Sequence, residues 1–289
     1  MKKFNLGAIV MATLLMVSCQ KENSVGNSNN TPVVYANVNY GSDPLQKMDI
    51  YLPGGRSVAT TKVIVMVHGG AWASGDKTDL NQFVDTFKRR FPGYALFNIN
   101  YRLSAAPNNL FPTQENDVKT AIDFIFGKAD QYAISEKYAL IGASAGGHLA
   151  LLQAYKYSNL VKPKAVISLS GPTDLNDMYN NPAGGNSTLS ALLASAIGKT
   201  PAQDPALYNN SSPVNFVTAT SPPTLLFYGD VDPLVTQQQA TLLRNKLQVA
   251  GVAQQYVLYN GSAHVDTWSK PVLFDCFEKT QAFLVLHVQ

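Results

Sequence analysis

From Val33 onward the apolar positions fall into two kinds of run. Val33–Tyr40 and Gln46–Leu52 alternate apolar and polar residues. The stretch Gly41-Ser42-Asp43-Pro44 between them is a turn sequence, so the pair predicts an opening hairpin. Short, almost wholly apolar segments follow at Val63–Val67, Tyr94–Ile99, Tyr138–Ile141, Ala165–Leu169, Thr224–Tyr228 and Gln255–Tyr259. Strands buried on both faces read this way. Helical spacing covers 79–90, 114–128, 146–157, 236–250 and 271–287 between and after them. The alternation predicts an α/β fold, a mostly parallel sheet of about eight strands with helices on both faces. No repeat and no second core-sized segment interrupts it, so 33–289 reads as one domain.

Ser170–Pro223 breaks that rhythm. It holds Asn180-Asn181-Pro182-Ala183-Gly184-Gly185 and then a helical pattern over Ser187–Ile197. Long insertions in compact domains are commonly lids or binding loops. Residues 171–221 are therefore expected to form a cap that shapes the pocket.

Charge changes the picture only at the amino end. Of 289 residues 14% are charged, against about 25% in an average chain, and the net charge is +3. Without a clustered basic face there is no electrostatic case for a nucleic-acid partner. Met1-Lys2-Lys3 followed by apolar Leu6–Val17 has the form of a secretory leader, too short for a comfortable membrane span. The leader closes on Leu15-Met16-Val17-Ser18-Cys19, which resembles a bacterial lipobox. That resemblance implies removal of residues 1–18, acylation of Cys19, and export to the outer membrane, on its periplasmic or surface face. Residues 19–32 would be a polar tether to the folded domain at 33–289. Losing Lys2 and Lys3 takes the net charge from +3 to +1. Cys276 then has no partner and falls on the apolar side of the last helix, where a core thiol is expected.

The chemistry begins at Gly142-Ala143-Ser144-Ala145-Gly146, a G-x-S-x-G between a buried strand and a helix. Such a turn exposes a serine hydroxyl above a helix N-terminus that favours negative charge. Ser144 needs a base later in the chain than its acid. His68 precedes it, His148 lies four residues along its helix, and His287 ends the last helix. His264 remains, in the loop past the final strand. Between Ser144 and His264 there is no Glu. Asp174, Asp177 and Asp204 belong to the insert, which leaves Asp230 and Asp232 after the strand at 224–228. Strand Val63–Val67 leads into His68-Gly69-Gly70-Ala71-Trp72. Glycines there let backbone amides approach an oxyanion, so Gly69, Gly70 and the Ala145 amide are the candidate donors. His68 reads as a brace for this loop. No dinucleotide or Walker loop and no metal-ligand spacing is present in the sequence, so neither a cofactor nor a metal is expected.

From about residue 46 these motifs resemble α/β-hydrolase esterases of the HGG, hormone-sensitive-lipase-like group, and most of all the BD-FAE-like bacterial carbohydrate acetyl and feruloyl esterases. The resemblance rests on 68–72 with Ser74-Gly75-Asp76-Lys77, Asn100-Tyr101-Arg102-Leu103, Phe111-Pro112, Asp117-Val118-Lys119, Gly142–His148, Ser212-Pro213, Pro222-Pro223, Asp232-Pro233-Leu234-Val235 and His264. It implies a Ser144–His264–Asp232 triad, with Asp232 preferred over Asp230, and no cofactor. The substrate would be a small-molecule or polysaccharide ester carrying acetyl or feruloyl groups, with Trp72 and Tyr101 as candidate substrate contacts. Two positions depart from the pattern: Tyr228 stands for the usual His, and Ala263 for the usual Gly. A formamidase-type amidase would share the triad, and a non-catalytic glycan-binding lipoprotein would share the fold.

Overall fold

The computed structural model describes residues 29–157 and 161–289. The expected leader, Cys19 and the first part of the expected tether lie outside the described residues. Eight strands form one sheet in the order β1-β2-β4-β3-β5-β6-β7-β8. They are β1 (Val33–Asn39), β2 (Lys47–Leu52), β3 (Lys62–Val67), β4 (Tyr94–Ile99), β5 (Tyr138–Ala143), β6 (Ala165–Leu169), β7 (Thr224–Gly229) and β8 (Gln254–Tyr259). β1 and β2 make the expected antiparallel hairpin, and β2 also runs antiparallel to β4. All other pairs are parallel.

Alternation along the strands sorts their side chains onto two faces. Val63, Val65, Val67, Leu140, Val166, Leu226 and Tyr228 face one core. That core is closed by α2 (Thr113–Gly127), which the single turn α3 (Ala129–Tyr132) follows, and by α4 (Ala145–Lys156) and α8 (Gln237–Val249). Ile64, Met66, Leu96, Ile141, Ile167 and Phe227 face the other, closed by α1 (Asn81–Arg90) and α9 (Lys270–His287). Arg90 ties these two helices together, donating to Glu278 and, at 3.2 Å, to Gln281. Its guanidinium also lies 5.1 Å from the Phe274 ring centre.

The insert folds into short helices, three of which carry a side-chain cap. The Asp174 carboxylate accepts the Asp177 amide at the start of α5 (Leu175–Asn180). Asn186 caps α6 (Ser187–Ile197), which ends on Gly198 at φ +86°. Asp204 caps α7 (Pro205–Asn210), with Pro205 in its first turn. Leu175, Leu193, Ile197 and Tyr208 all bury into the first core, on the α4 side of the sheet.

The end of the expected tether is held against the domain. The buried Arg56 guanidinium donates to the carbonyls of Thr31 at 2.8 Å, Pro53 at 3.3 Å and Asn29 at 3.4 Å. Residues 29–32 thus belong to the folded domain, a boundary that polar composition cannot mark.

Candidate active site

Ser144 sits between β5 and α4 at φ +53°, ψ −123°, a conformation sparsely populated by residues with a side chain. Its amide donates to the Leu169 carbonyl at 2.7 Å. The flanking glycines are sterically required. A Cβ on Gly142 would lie 2.1 Å from the Gly146 carbonyl oxygen, and one on Gly146 would lie 2.2 Å from that of Val67. The turn can therefore be this tight only without side chains at those two positions.

Asp232 and His264 meet at the carboxyl ends of β7 and β8. The His264 Nδ1 lies 2.7 Å from the Asp232 Oδ2. The other carboxylate oxygen accepts the amides of Leu234 at 2.8 Å and Val235 at 2.9 Å. Both side chains are buried. Asp230 instead accepts the Gly261 amide at 2.6 Å and supports the turn. The loop carrying His264 rests directly on Gly229, where a Cβ would be 2.1 Å from the Ser262 carbonyl oxygen. The departures from the family pattern fit this arrangement. Ala263 is outside the left-handed region, so a side chain is admissible there. The Tyr228 hydroxyl donates to the Gly171 carbonyl and ties β7 to the start of the insert.

After β3 the chain makes the loop His68–Trp72. His68 Nδ1 donates to its neighbour's carbonyl, Gly69 O, at 2.7 Å. The Tyr101 ring stacks on the His68 ring at 4.3 Å. The Tyr101 hydroxyl lies 3.1 Å from the His68 carbonyl oxygen and 3.0 Å from that of Gly69. In a trans peptide the N–H points opposite to the carbonyl. Fixing these two carbonyls toward Tyr101 therefore turns the Gly69 and Gly70 amides the other way. Among the described residues those amides have no acceptor within the chain. A Cβ on Gly69 would lie 3.2 Å from the Ser144 Cβ, so the loop runs directly beside the serine. Burial lowers the His68 pKa, which fits a neutral brace.

Ser144, Gly69, Gly70 and His264 open on one cavity of about 610 Å³. Its walls are mostly apolar and come from α1, α9 and the tips of β3, β5 and β6: Phe83, Phe87, Ile141, Leu273, Cys276 and Phe277 among them. Two sequence expectations need correcting here. No residue of 171–221 lines this cavity, because the insert packs on the opposite face of the sheet. Nor do Trp72 and Tyr101, the expected substrate contacts. Both are buried, Tyr101 beneath His68 and Trp72 against His148. Cys276 is buried as expected, its thiol pushed up to about 12, yet it also forms part of the cavity wall. His287 packs on Phe283 at the far end of α9.

The strand order, with Ser144 after β5, Asp232 after β7 and His264 after β8, defines the α/β-hydrolase fold. The chain belongs to the BD-FAE family, whose profile matches residues 48–247. It is 26% identical to Esterase LipC of Mycobacterium tuberculosis over 238 residues, 78% of this chain and 58% of LipC. The chain thus spans only a little over half the length of that curated relative. Among solved structures it is similar to a truncated carbohydrate esterase from gut microbiota, with a TM-score of 0.71 and 26% identity, covering 88% of this chain and 98% of that one. A bifunctional GH43-CE protein of Bacteroides eggerthii shares the fold at a TM-score of 0.75 and 24% identity, over 91% of this chain and 38% of its own.

Proposed function

We propose that the chain is a carboxylic ester hydrolase with a Ser144–His264–Asp232 triad, acting on acyl groups carried by carbohydrate or small alcohols. The observation that carries this reading is the buried Asp232–His264 pair, of which His264 lines the same cavity as Ser144. Asp232 accepts the Nδ1–H of His264, which leaves Nε2 as the basic nitrogen. Nε2 takes the Ser144 proton as Oγ bonds to the ester carbon. The carbonyl electrons move to oxygen, where the amides of Gly69, Gly70 and Ala145 stabilise them. The intermediate collapses as the imidazolium gives its proton to the leaving alkoxide. Water then repeats the sequence on the acyl-enzyme and releases the acid. The printed names of the relatives, esterase and carbohydrate esterase, are consistent with this chemistry.

Turnover of p-nitrophenyl acetate by the wild type, and its loss in Ser144→Ala, is the test. Unchanged turnover in the variant removes the mechanism. No turnover in the wild type favours a binding module on the same fold.

The export reading is part of the same proposal: residues 1–18 as leader, Cys19 as the acylated anchor to the outer membrane. Metabolic labelling with palmitate should mark the full chain and fail to mark Cys19→Ala. An unlabelled wild type removes the anchor.

A further inference from the structure

We infer that the chamber between α1 and α9 is an acyl pocket, and that the preferred acyl group is apolar and much larger than acetyl, of about the bulk of an octanoyl chain. This rests on the hydrolase reading and deepens it.

The chamber begins at Ser144 and runs along the sheet face opposite the insert. Phe83 and Phe277 face each other at 5.6 Å, and Phe87 meets Phe277 edge-on at 5.2 Å. Met66, Phe87, Cys276 and Thr280, which also line it, are each no more than 5% exposed in the whole molecule, so this part of the wall is the deeper one. The wall thus combines an opening at the reacting serine with an apolar lining that is partly buried. At about 610 Å³ its volume falls within the usual range of about 300–1,000 Å³ for small-molecule pockets. An acetyl group would leave most of it unfilled.

Which half of the ester enters follows from the order of events. The alcohol must depart while the acyl group is still bonded to Ser144, and water must then reach that bond. An alcohol in the deeper, buried part would have to pass the acyl-enzyme to leave. The acyl group therefore belongs inside. The alcohol belongs on the outer rim, where Gln82 and Asp266 are exposed and can meet polar groups. Each methylene moved from water into such walls is worth about fourfold in kcat/KM when it is held in the transition state.

Cys276 gives the test, because a larger side chain there occupies the deeper part of the chamber. kcat/KM is measured for p-nitrophenyl acetate, butyrate and octanoate on the wild type, Cys276→Ser and Cys276→Trp. In the wild type the octanoate-to-acetate ratio should exceed about ten. Cys276→Ser should keep most of that ratio, and Cys276→Trp should lower it at least tenfold. A wild type that prefers acetate, or a ratio unmoved by Cys276→Trp in a folded variant, overturns the inference. Should Cys276→Trp fail to fold, inhibition of wild-type acetate hydrolysis decides. Free octanoate should compete at least tenfold more tightly than acetate, and equal inhibition overturns the pocket. Absence of turnover with every ester would overturn the hydrolase reading instead. The pocket is then judged by whether octanoate raises the wild-type unfolding temperature more than acetate does, and equality of the two overturns it.

Discussion

The Trp72 indole N–H donates to His148 Nδ1 at 3.2 Å, joining the loop after β3 to the helix that begins at Ser144. Since Nδ1 accepts, the His148 proton is on Nε2, which donates to the Ser211 carbonyl at 2.7 Å. Trp72 itself is held at φ +61° next to Ala71 at φ +50°, backbone strain that persists only where neighbours over-determine it. The buried ring pair thus fixes the loop relative to the serine turn. Trp72→Phe keeps an aromatic side chain but removes the indole donor, leaving a buried imidazole nitrogen unpaired. A loss of about 1–3 kcal/mol of stability is expected. Because the loop carries Gly69 and Gly70, kcat should fall more than KM rises. Urea unfolding and steady-state kinetics on the same preparation check both, and a variant as stable and active as wild type refutes the coupling.

Burial, with Lys156 adding to it, lowers the His148 pKa to about 4, against an ordinary value of about 6.5. The folded chain therefore leaves this group neutral at pH values where the unfolded chain protonates it. Between about pH 6.5 and pH 4 the unfolded state binds the extra proton, so stability falls as the solution is acidified through that window. Above the window the group contributes no slope. His68, lowered by burial as well, acts in the same direction. His148→Gln removes the titration while its amide can still donate to Ser211. Its stability should depend less on pH in this window, by up to about 1.4 kcal/mol per pH unit. Equal slopes for the two proteins, measured by denaturant unfolding from pH 7 to pH 4.5, would contradict the assignment.

Asp232→Asn tests the orientation of the base. The amide oxygen can keep the Leu234 and Val235 amides, which places an NH2 against His264 Nδ1. His264 must then carry its proton on Nε2, where it cannot accept one from Ser144. In a serine protease triad the same exchange lowers kcat by about 10⁴-fold, and a loss of that order is expected here with little change in KM. A loss below tenfold would remove Asp232 from the triad and direct attention to Asp230.

How far these relations were legible in the chain depends on sequence distance. The strands and most helices follow from local periodicity, and α6 matches its pattern at both ends because Asn186 and Gly198 mark them. Ser144 and His264 could be singled out because they follow β5 and β8 in the chain, whereas the preference for Asp232 over Asp230 came from the family resemblance. Trp72 and Tyr101 were misread for the opposite reason. A conspicuous aromatic beside a candidate site gives no local sign of which way its ring turns. The partners that turn these rings inward are, for Trp72, His148 on α4 and, for Tyr101, the His68 ring just past β3. The pocket was misassigned to the insert because its irregular sequence resembles a lid. Its actual walls are ordinary amphipathic faces of α1 and α9, whose apolar residues look the same whether they meet core or cavity.

Gly229 is the last position where one atom decides the site. It ends β7, three residues before Asp232, and its Cα faces the backbone of the loop that ends at His264. A methyl group there would come within 2.1 Å of the Ser262 carbonyl oxygen and 2.3 Å of the Ala263 carbonyl oxygen. Both are backbone atoms, so the loop itself must move. Ala263 is further held by the Trp268 indole, which donates to its carbonyl at 2.9 Å. Movement at 262–263 therefore carries His264 with it and lengthens its bond to Asp232. A misplacement of about 1 Å in a reacting group can lower the rate about 10²-fold. Gly229→Ala should show such a drop in kcat. Gly251→Ala, where no atom lies within 4 Å, should stay near wild-type activity despite its positive φ. Equal activity of the two variants in p-nitrophenyl ester hydrolysis would show that the His264 loop does not depend on this contact.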